Sequence, residues 1–399
     1  MEMEKHLNCS RGGAESVLGL KPSSSLSIAY HPEYGPHNDI VLLELDEKLL
    51  PDVFNQRVFI RGQPDDDAVL CTQSKTYAVK FVGTSNSVCL VPPSNQSGMR
   101  RKLQDHEENG CDLESASVIK LAPGSMEIVE IAPRLDKLKS LLSQAPYGIE
   151  DASEMEVEGL GRDEKGLYKW GDLVNEIQAS DEELKSGLQS LSAFEIDGYW
   201  RLLDETYMDM ILKMLLHNCV LLDWTLNALD EDEVLGVLES DGFPRKVAHH
   251  CLSVYGDKLQ EGGCKPFWKL NDKRVSVHFA RSVLREAEGN MKMERFLDEW
   301  RRKVPIGMET SLEILEGEIL TEKIGIEIWI RAFRASSLPS AAADRFSILF
   351  KERPRWDWKD LQPYIRDLNI PGVSLEGLLL KYTRRVQSSS HEEPVFTAR

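Results

Sequence analysis

Apolar and polar positions divide the chain into a strand-rich N-terminal part and a helix-rich remainder. Before residue 132, short runs of β-branched and aromatic residues alternate with turn-prone pieces such as RGQPDDD and GTSNS. This alternation is typical of β-strands. It predicts six strands, at Val41–Leu45, Val58–Arg61, Ala68–Cys71, Tyr77–Phe81, Val88–Val91 and Met126–Ile131. Because no helical pattern separates them, residues 1–130 are expected to form an antiparallel sheet or small barrel.

A helical period begins after Pro133, where the run RLDKLKSLLSQ carries leucines at helical spacing. Two polar stretches interrupt the apolar pattern. Residues 93–116 are predicted to form a mobile loop, and residues 149–166 an acidic tether.

The segment from Trp170 to Asp204 predicts two short helices followed by a β-hairpin. Gly171–Gln178 carries one apolar stripe, and Ser180 caps the next helix with Glu183 completing a capping box. Asp197-Gly198 then suits the positive φ angles of a two-residue hairpin turn. This order of elements is that of a winged helix, a fold that binds DNA or docks proteins, so the fold alone does not choose the function.

Two later blocks repeat the combination of helices and strands. The predicted helices are Asp230–Leu238, Pro244–Tyr255, Arg274–Glu286, Pro339–Lys351, Trp358–Leu368 and Ser374–Val386. The predicted strands are Phe267–Leu270, Ile314–Leu320 and Ile324–Phe333. The expected fold is therefore a multi-domain α+β protein, with a β-barrel-like domain and then three tandem winged-helix domains. Their predicted bounds are 1–130, 131–215, 216–300 and 301–399.

Composition narrows the function classes. No apolar run approaches the length of a membrane span, so no membrane partner is expected. The seven cysteines contain no CxxC pair, and the start MEMEKHLNCS lacks a signal-peptide pattern, which favours a reducing compartment. His249, His250 and Cys251 with Cys264 are better explained by a packed helix with one buried histidine than by a metal site. No GxxxxGK[ST], GxSxG or HExxH motif occurs, so catalytic residues, metals and cofactors are not expected.

Charge is unevenly distributed along the chain. The formal net charge is -18, but residues 265–399 carry 24 basic and 20 acidic side chains. Residues 1–264 carry 24 basic and 46 acidic side chains. An acidic surface repels phosphate, so any contact with DNA is expected in the C-terminal third.

Six basic residues in the C-terminal third are the candidate DNA contacts. Three share one flank of the predicted final helix, and three lie near an upstream helix boundary beside Trp356 and Trp358. These residues are Lys381, Arg384 and Arg385, and then Lys351, Arg353 and Arg355. Such a cluster can neutralise several phosphates, although a solvated basic helix face would give the same pattern.

The first predicted winged helix has the opposite charge. Its second helix begins with Asp181, Glu182 and Glu183, which favours a protein partner over DNA. Tyr199, Trp200 and Arg201 belong to residue types that are common at interface hot spots. A core position for Trp200 explains its apolar ring equally well.

Several motifs resemble the Dcc family, named for defective sister chromatid cohesion. They include VFIRG at 58–62, AVLCTQSKTYAVK at 68–80, IQASDEELKSGLQSL at 177–191, IDGYWRLL at 196–203 and RFSILFKERPRWDWKDLQPYIRDL at 345–368. The resemblance runs almost from end to end of the chain. It implies a nuclear, non-ATPase subunit of the alternative replication factor C clamp loader, which acts on the PCNA sliding clamp.

The same resemblance implies a set of partners. The N-terminal strands would share a barrel with the small subunit and with the tail of the large ATPase subunit of that complex. The winged helices would contact the catalytic subunit of DNA polymerase epsilon and single- or double-stranded DNA. An N-terminal sheet with free edges is compatible with strand addition.

A winged-helix transcription or chromatin regulator is the alternative function. Sequence-specific readers usually present Arg, Asn or Gln to the base edges. The predicted final helix offers arginines, but its only amide is the trailing Gln387. Contact with the phosphate backbone is therefore favoured over base recognition.

Overall fold

The computed structural model of this 399-residue chain is a mixed α+β protein with several sheets, the largest of five strands. Its contacts divide it into two units, residues 1–57 with 77–129, and residues 58–76 with 130–399. The structure describes residues 26–31, 35–91, 101–102, 114–154, 165–259, 266–287, 289–387 and 394–399. Within these ranges no helix combines the length and the apolar character that crossing a membrane requires.

Strands dominate the described part of residues 1–131. In chain order the elements are β1 (Leu26–Tyr30), β2 (Leu43–Glu44), the 3-10 helix Glu47–Leu49, α1 (Leu50–Asn55), β3 (Phe59–Arg61), β4 (Val69–Cys71), β5 (Thr76–Leu90), β6 (Arg101–Lys102), β7 (Glu114–Val118) and β8 (Lys120–Ile131). In the first unit β2 pairs in parallel with β8, and β8 lies beside β5. A second sheet has the order β1-β7-β6. The antiparallel hairpin β3–β4 belongs to the second unit.

β5 is one long strand where the sequence predicts two strands separated by a turn at GTSNS. That separation is wrong, because Thr76–Leu90 forms one continuous strand, which neighbours β8 in the same sheet. Gly124 permits the close approach of the two strands, since a Cβ there would lie 2.1 Å from the carbonyl oxygen of Val82. The predicted loop at residues 93–116 falls largely outside the described residues.

The remainder of the second unit contains four repeats of similar connectivity, in which a helix, a short strand or bridge, two further α or 3-10 helices and a hairpin follow in order. Repeat 1 has one additional helix before its bridge. We name residues 136–201, 205–270, 272–332 and 342–398 repeats 1 to 4. In each repeat the first strand pairs with the last strand. In repeat 1 this pairing is a single bridge between Tyr168 and Trp200.

The elements of the first two repeats follow in chain order. Repeat 1 contains α2 (Asp136–Leu142), α3 (Ile149–Glu154), α4 (Trp170–Glu176), α5 (Asp181–Ser190), β9 (Phe194–Ile196) and β10 (Tyr199–Arg201). Repeat 2 contains α6 (Glu205–Leu221), β11 (Leu229–Asp230), α7 (Glu231–Ser240), α8 (Arg245–Tyr255), β12 (Gly256–Leu259) and β13 (Phe267–Leu270).

Repeats 3 and 4 differ in the length of their later helices. Repeat 3 contains α9 (Asp272–Glu286), β14 (Met291–Lys292), α10 (Met293–Lys303), the 3-10 helix Leu312–Leu315, β15 (Ile319–Ile324) and β16 (Glu327–Ala332). A 3-10 helix, Ala335–Ser337, links it to repeat 4. Repeat 4 contains α11 (Ala342–Glu352), β17 (Arg355–Asp357), α12 (Trp358–Leu361), the 3-10 helix Gln362–Tyr364, α13 (Leu375–Tyr382), β18 (Thr383–Val386) and β19 (Val395–Ala398).

Local signals in repeat 1 are confirmed. Ser180 and Glu183 form the predicted capping box of α5. Asp197 and Gly198 both have positive φ, at 54° and 84°, as a two-residue hairpin turn requires. The three predicted winged-helix domains stay a prediction. Two of their predicted boundaries, after residues 215 and 300, fall inside the helices α6 and α10, so these positions do not separate secondary-structure elements.

Three predicted elements in repeats 3 and 4 are wrong in type or extent. The predicted strand from Ile314 contains the end of a 3-10 helix, and β15 begins at Ile319. The predicted helix from Trp358 changes to 3-10 geometry at Gln362, where Pro363 provides no backbone N–H. The predicted final helix ends at Tyr382, and the next four residues form β18.

One continuous apolar core joins repeats 1, 2 and 3. It includes Phe194 of repeat 1, Leu212 of repeat 2 and Ile330 of repeat 3. Repeat 4 has its own core, which also takes in Leu320 of repeat 3. The helices of repeat 1 enclose a third cluster around Leu138 and Leu184.

His250 marks the junction between repeats 1 and 2. It is buried, and its ring stacks on Phe194 with centroids 4.5 Å apart, which confirms the buried histidine expected in α8. Its Nε2 has no hydrogen-bond partner among the described residues. Burial lowers the pKa of His250 to about 4, against a raising effect from the Ser192 backbone.

This burial predicts acid sensitivity. An unfolded histidine binds a proton near pH 6.5, whereas folded His250 stays neutral until about pH 4. The free energy of unfolding should therefore fall as the pH drops from 6.5 towards 4, by about 2 kcal/mol between pH 7 and pH 5 from this group. Urea unfolding at both pH values measures the effect. His250→Leu should reduce the difference, whereas the control His249→Leu should not. Equal pH dependence in all three proteins would contradict the prediction.

Candidate nucleic-acid interface and partner-binding surfaces

The acidic start of α5 is already engaged within the second unit. The Asp181 carboxylate forms an ion pair with the guanidinium of Arg61 of β3 at 2.5 Å. Arg61 also donates a hydrogen bond to the carbonyl oxygen of Ala179. The hydroxyl of Thr76 donates to the Glu183 carboxylate at 2.6 Å. Of the three predicted partner-binding acids, Glu182 alone is exposed, and its backbone N–H donates to the carbonyl of Gln73.

Arg201 holds repeat 1 together. Its guanidinium is buried and makes a bidentate pair with the Asp151 carboxylate at 2.7 and 3.0 Å. It also donates to the carbonyls of Ala145 and Pro146 and lies over the ring of Tyr147. An arginine with all these bonds has little capacity left for an external partner.

The two aromatic candidates beside Arg201 are both half-buried and have different neighbours. Trp200 packs against the core of repeat 1, with its ring 6.4 Å from that of Trp170. Tyr199 is half-buried, and the ammonium of Lys169 lies 5.0 Å from its ring centroid. The partner-binding role of the six residues stays a prediction, and Glu182 is the one exposed member of the six.

The predicted DNA-binding residues do not share one helix. Because α13 ends at Tyr382, only Lys381 lies on it, whereas Arg384 and Arg385 lie on β18. The common helical flank expected for these three residues is therefore wrong. Their role in DNA binding stays a prediction on a different geometry.

The small sheet of repeat 4 places Arg355 and Arg384 on one face. Arg355 of β17 lies opposite Thr397 of β19, and Thr397 lies opposite Arg384 of β18. Directly opposed residues point to the same face of a sheet, and two strand spacings separate the arginines by about 10 Å. Both arginines are exposed and pair with no carboxylate of the described residues. This face therefore presents two available guanidinium groups.

The other upstream candidates have different environments. Lys351 is exposed at the end of α11, also without a carboxylate partner in the described part of the chain. Arg353 instead pairs with Asp360 at 3.3 Å, donates to the carbonyl of Thr321 and lies over the ring of Trp356. We therefore define the repeat 4 cation set as Lys351, Arg355 and Arg384.

The first unit exposes many apolar side chains. The large ones include Ile28 and Tyr30 of β1, Phe81 and Val88 of β5, and Val129 of β8. Against these, the described residues of this unit bury four apolar side chains, Leu49, Tyr77, Val118 and Ala122. Exposed apolar surface of this extent marks interaction sites. Among the described residues, β2 lies at an edge of its sheet, where a further strand can pair.

The fold and these surfaces define a repeat-containing α+β protein with one strand-rich unit that exposes apolar side chains. No group of three or more His, Cys, Asp or Glu side chains in the described ranges is arranged to hold a metal ion. The chain belongs to the sister chromatid cohesion protein Dcc1 family, whose family model matches residues 40–365.

Relatives from distant eukaryotes support this membership. The human sister chromatid cohesion protein DCC1 is 31% identical over 377 residues, which cover 93% of this chain and 89% of the relative. The Xenopus laevis protein is 33% identical over 87% of this chain and 86% of its own length. The probable Dictyostelium discoideum protein is 27% identical over 93% of this chain and 96% of its own. All three are named as cohesion proteins and none as an enzyme.

The Arg61–Asp181 pair predicts unequal effects of charge reversal in α5. Asp181→Lys should lower the free energy of unfolding by about 2 kcal/mol, because it leaves buried Arg61 next to a like charge. Glu182→Lys, at the exposed neighbouring position, should change it by less than about 0.5 kcal/mol. Urea unfolding compares the two variants. If Asp181→Lys and Glu182→Lys have similar free energies of unfolding, the Arg61–Asp181 ion pair does not stabilise the start of α5.

Proposed function

We propose that this chain is a non-catalytic binding subunit that acts in sister chromatid cohesion in the nucleus. In this role it joins protein partners at its N-terminal strands to DNA at its C-terminal repeat. Membership of the Dcc1 family supports the role in cohesion. The observation that carries the proposal is the contrast between two surfaces. The first unit exposes apolar strand residues, and repeat 4 exposes cations that pair with no carboxylate of the described residues.

The protein partners in this proposal are the subunits of an alternative, clamp-loader-like replication factor C complex. The N-terminal strands complete a barrel with the small subunit and the tail of the large ATPase subunit, and the complex acts on PCNA. Apolar strands with too little core of their own gain stability when partner strands cover them. In this arrangement the ATPase activity belongs to the partner.

We further propose that the four repeats are winged-helix modules, one more than the sequence predicts. Support comes from the recurring connectivity and from sheets in which the first strand pairs with the last. Repeat 1 docks the polymerase epsilon catalytic subunit through a surface that includes exposed Glu182 and half-buried Tyr199. Repeat 4 binds single- or double-stranded DNA, because its available cations can contact phosphates without recognising bases.

The DNA-binding role predicts the behaviour of a triple variant. Replacing Lys351, Arg355 and Arg384 with Ala should weaken binding to unrelated DNA sequences by similar factors. The magnitude of the slope of log K against log salt should fall by about two to three, at 0.7–0.9 per lost phosphate contact. Fluorescence anisotropy over a range of salt concentrations measures both quantities.

Two variants control this experiment. Lys246→Ala removes an exposed lysine of repeat 2 and should leave the slope unchanged. The triple variant Lys381, Arg384 and Arg385 to Ala tests the three residues first predicted from sequence. If the variant that lacks Lys351, Arg355 and Arg384 binds DNA as the wild-type chain does, the repeat 4 cation set has no role in DNA binding. A loss of affinity for only one DNA sequence would instead favour a transcription regulator.

Barrel completion predicts that the exposed strand residues control assembly. Phe81→Asp with Val129→Asp should weaken capture of the small subunit and the large-subunit tail by at least about tenfold, because two apolar contacts become buried charges. Their exposure in the isolated chain means that its folding should change little. Co-purification of the three components with circular dichroism of the variant measures both properties. Wild-type assembly by this variant would contradict the proposed interface.

A further inference from the structure

An apolar groove lies between the end of α6 in repeat 2 and the segment that follows α10 in repeat 3. Val220 and Leu221 at the end of α6 are exposed, and Ile306 after α10 is fully exposed. Large aliphatic side chains that lie together in water are characteristic of interaction sites. Neither repeat supplies a further element that covers them within the described residues.

The groove has a well-defined floor. It encloses a cavity of about 560 Å³, a volume typical of ligand pockets. Buried Cys219, Phe279 and Val304 form the floor, and Trp224 and Leu226 stand at the side. The cavity therefore offers space for apolar side chains to enter between the two repeats.

The charged side chains that line this groove have one sign. Lys213, Arg302 and Lys303 line it beside the imidazole of His217, and no carboxylate does so among the described residues. Lys213 pairs with Asp209 and Lys303 pairs with Glu286, each at 2.6 Å. Arg302 is exposed and has no such partner in the described part of the chain. The groove therefore has a basic rim, in which Arg302 is the available cation.

We propose that this groove binds a short segment of a partner protein in which apolar anchor residues are flanked by Asp or Glu. The floor takes the anchors, and Arg302 with its cationic neighbours attracts the flanking carboxylates. The complementary charge selects against basic segments. The apolar floor favours peptide side chains over a phosphate backbone, which has no apolar groups to place there. This site is separate from the N-terminal strands and from the repeat 4 cation set.

Selection from a displayed peptide library, with the full-length chain as the target, tests this proposal. Random peptides that bind the Ile306→Asp variant are first removed from the library. The remaining peptides are then selected for binding to the wild-type chain. Enriched peptides should combine Leu, Ile, Phe or Trp with Asp or Glu. Synthetic copies should bind at least about tenfold more weakly to Val220→Asp, which places a charge at an apolar contact. Replacing their acids with Asn or Gln should weaken binding to the wild-type chain and reduce its dependence on salt.

Ile326→Asp is the matched control. Ile326 lies between β15 and β16 in the same repeat as Ile306, is equally exposed, and is absent from the groove lining. This variant should bind the peptides as the wild-type chain does, and Arg302→Glu should bind them several-fold more weakly. Failure to enrich any peptide, enrichment of basic or acid-free peptides, or equal loss in Ile326→Asp would overturn the proposal.

Discussion

The shared core of repeats 1 to 3 is the constraint on which the rest of the second unit depends. A segment of this size buries little apolar surface alone, so each repeat needs a neighbour. Phe194 of repeat 1, the buried face of α6 in repeat 2 and Ile330 of repeat 3 belong to one cluster. The three repeats are therefore expected to gain and lose stability together, and their surfaces are held in fixed relative positions.

Polar contacts between the repeats reinforce this core. Glu205 at the start of α6 accepts hydrogen bonds from Arg285 of repeat 3 at 2.6 Å and from Arg334, in the link between repeats 3 and 4, at 3.0 Å. Burial alone would raise the pKa of the Glu205 carboxyl, but these two arginines lower it, so it stays ionised. Arg281 makes a bidentate pair with Glu318 inside repeat 3. Arginines that form ion pairs with carboxylates of the chain stabilise the fold, whereas arginines without such an ion pair can bind phosphates.

The sequence predicts the elements whose signals are local. The capping box of α5 needs residues three apart, and the turn of the β9–β10 hairpin needs one dipeptide. The end of α13 was not predictable in this way, since β18 forms by pairing with β19 across residues 388–393. The helix α6 was not predicted, because apolar side chains surround much of its length and leave no single stripe.

The same distinction separates the candidate residues. Arg201 and Asp181 belong to residue types that suit an interface, and their sequence neighbours do not reveal their partners. Those partners, Asp151 and Arg61, lie 50 and 120 residues away. Charge and residue type thus identify side chains that are able to form ion pairs and interface contacts. Only the fold identifies which of them already form such contacts within the chain.

Hydrogen–deuterium exchange of the full-length chain tests the separation of its two proposed functions most directly. We expect the small subunit with the large-subunit tail to protect backbone amides in β1, β2, β5 and β8, and DNA to protect those of β17 to β19. Protection by DNA centred on the N-terminal strands, or on α5 of repeat 1 with no change in repeat 4, would contradict this account.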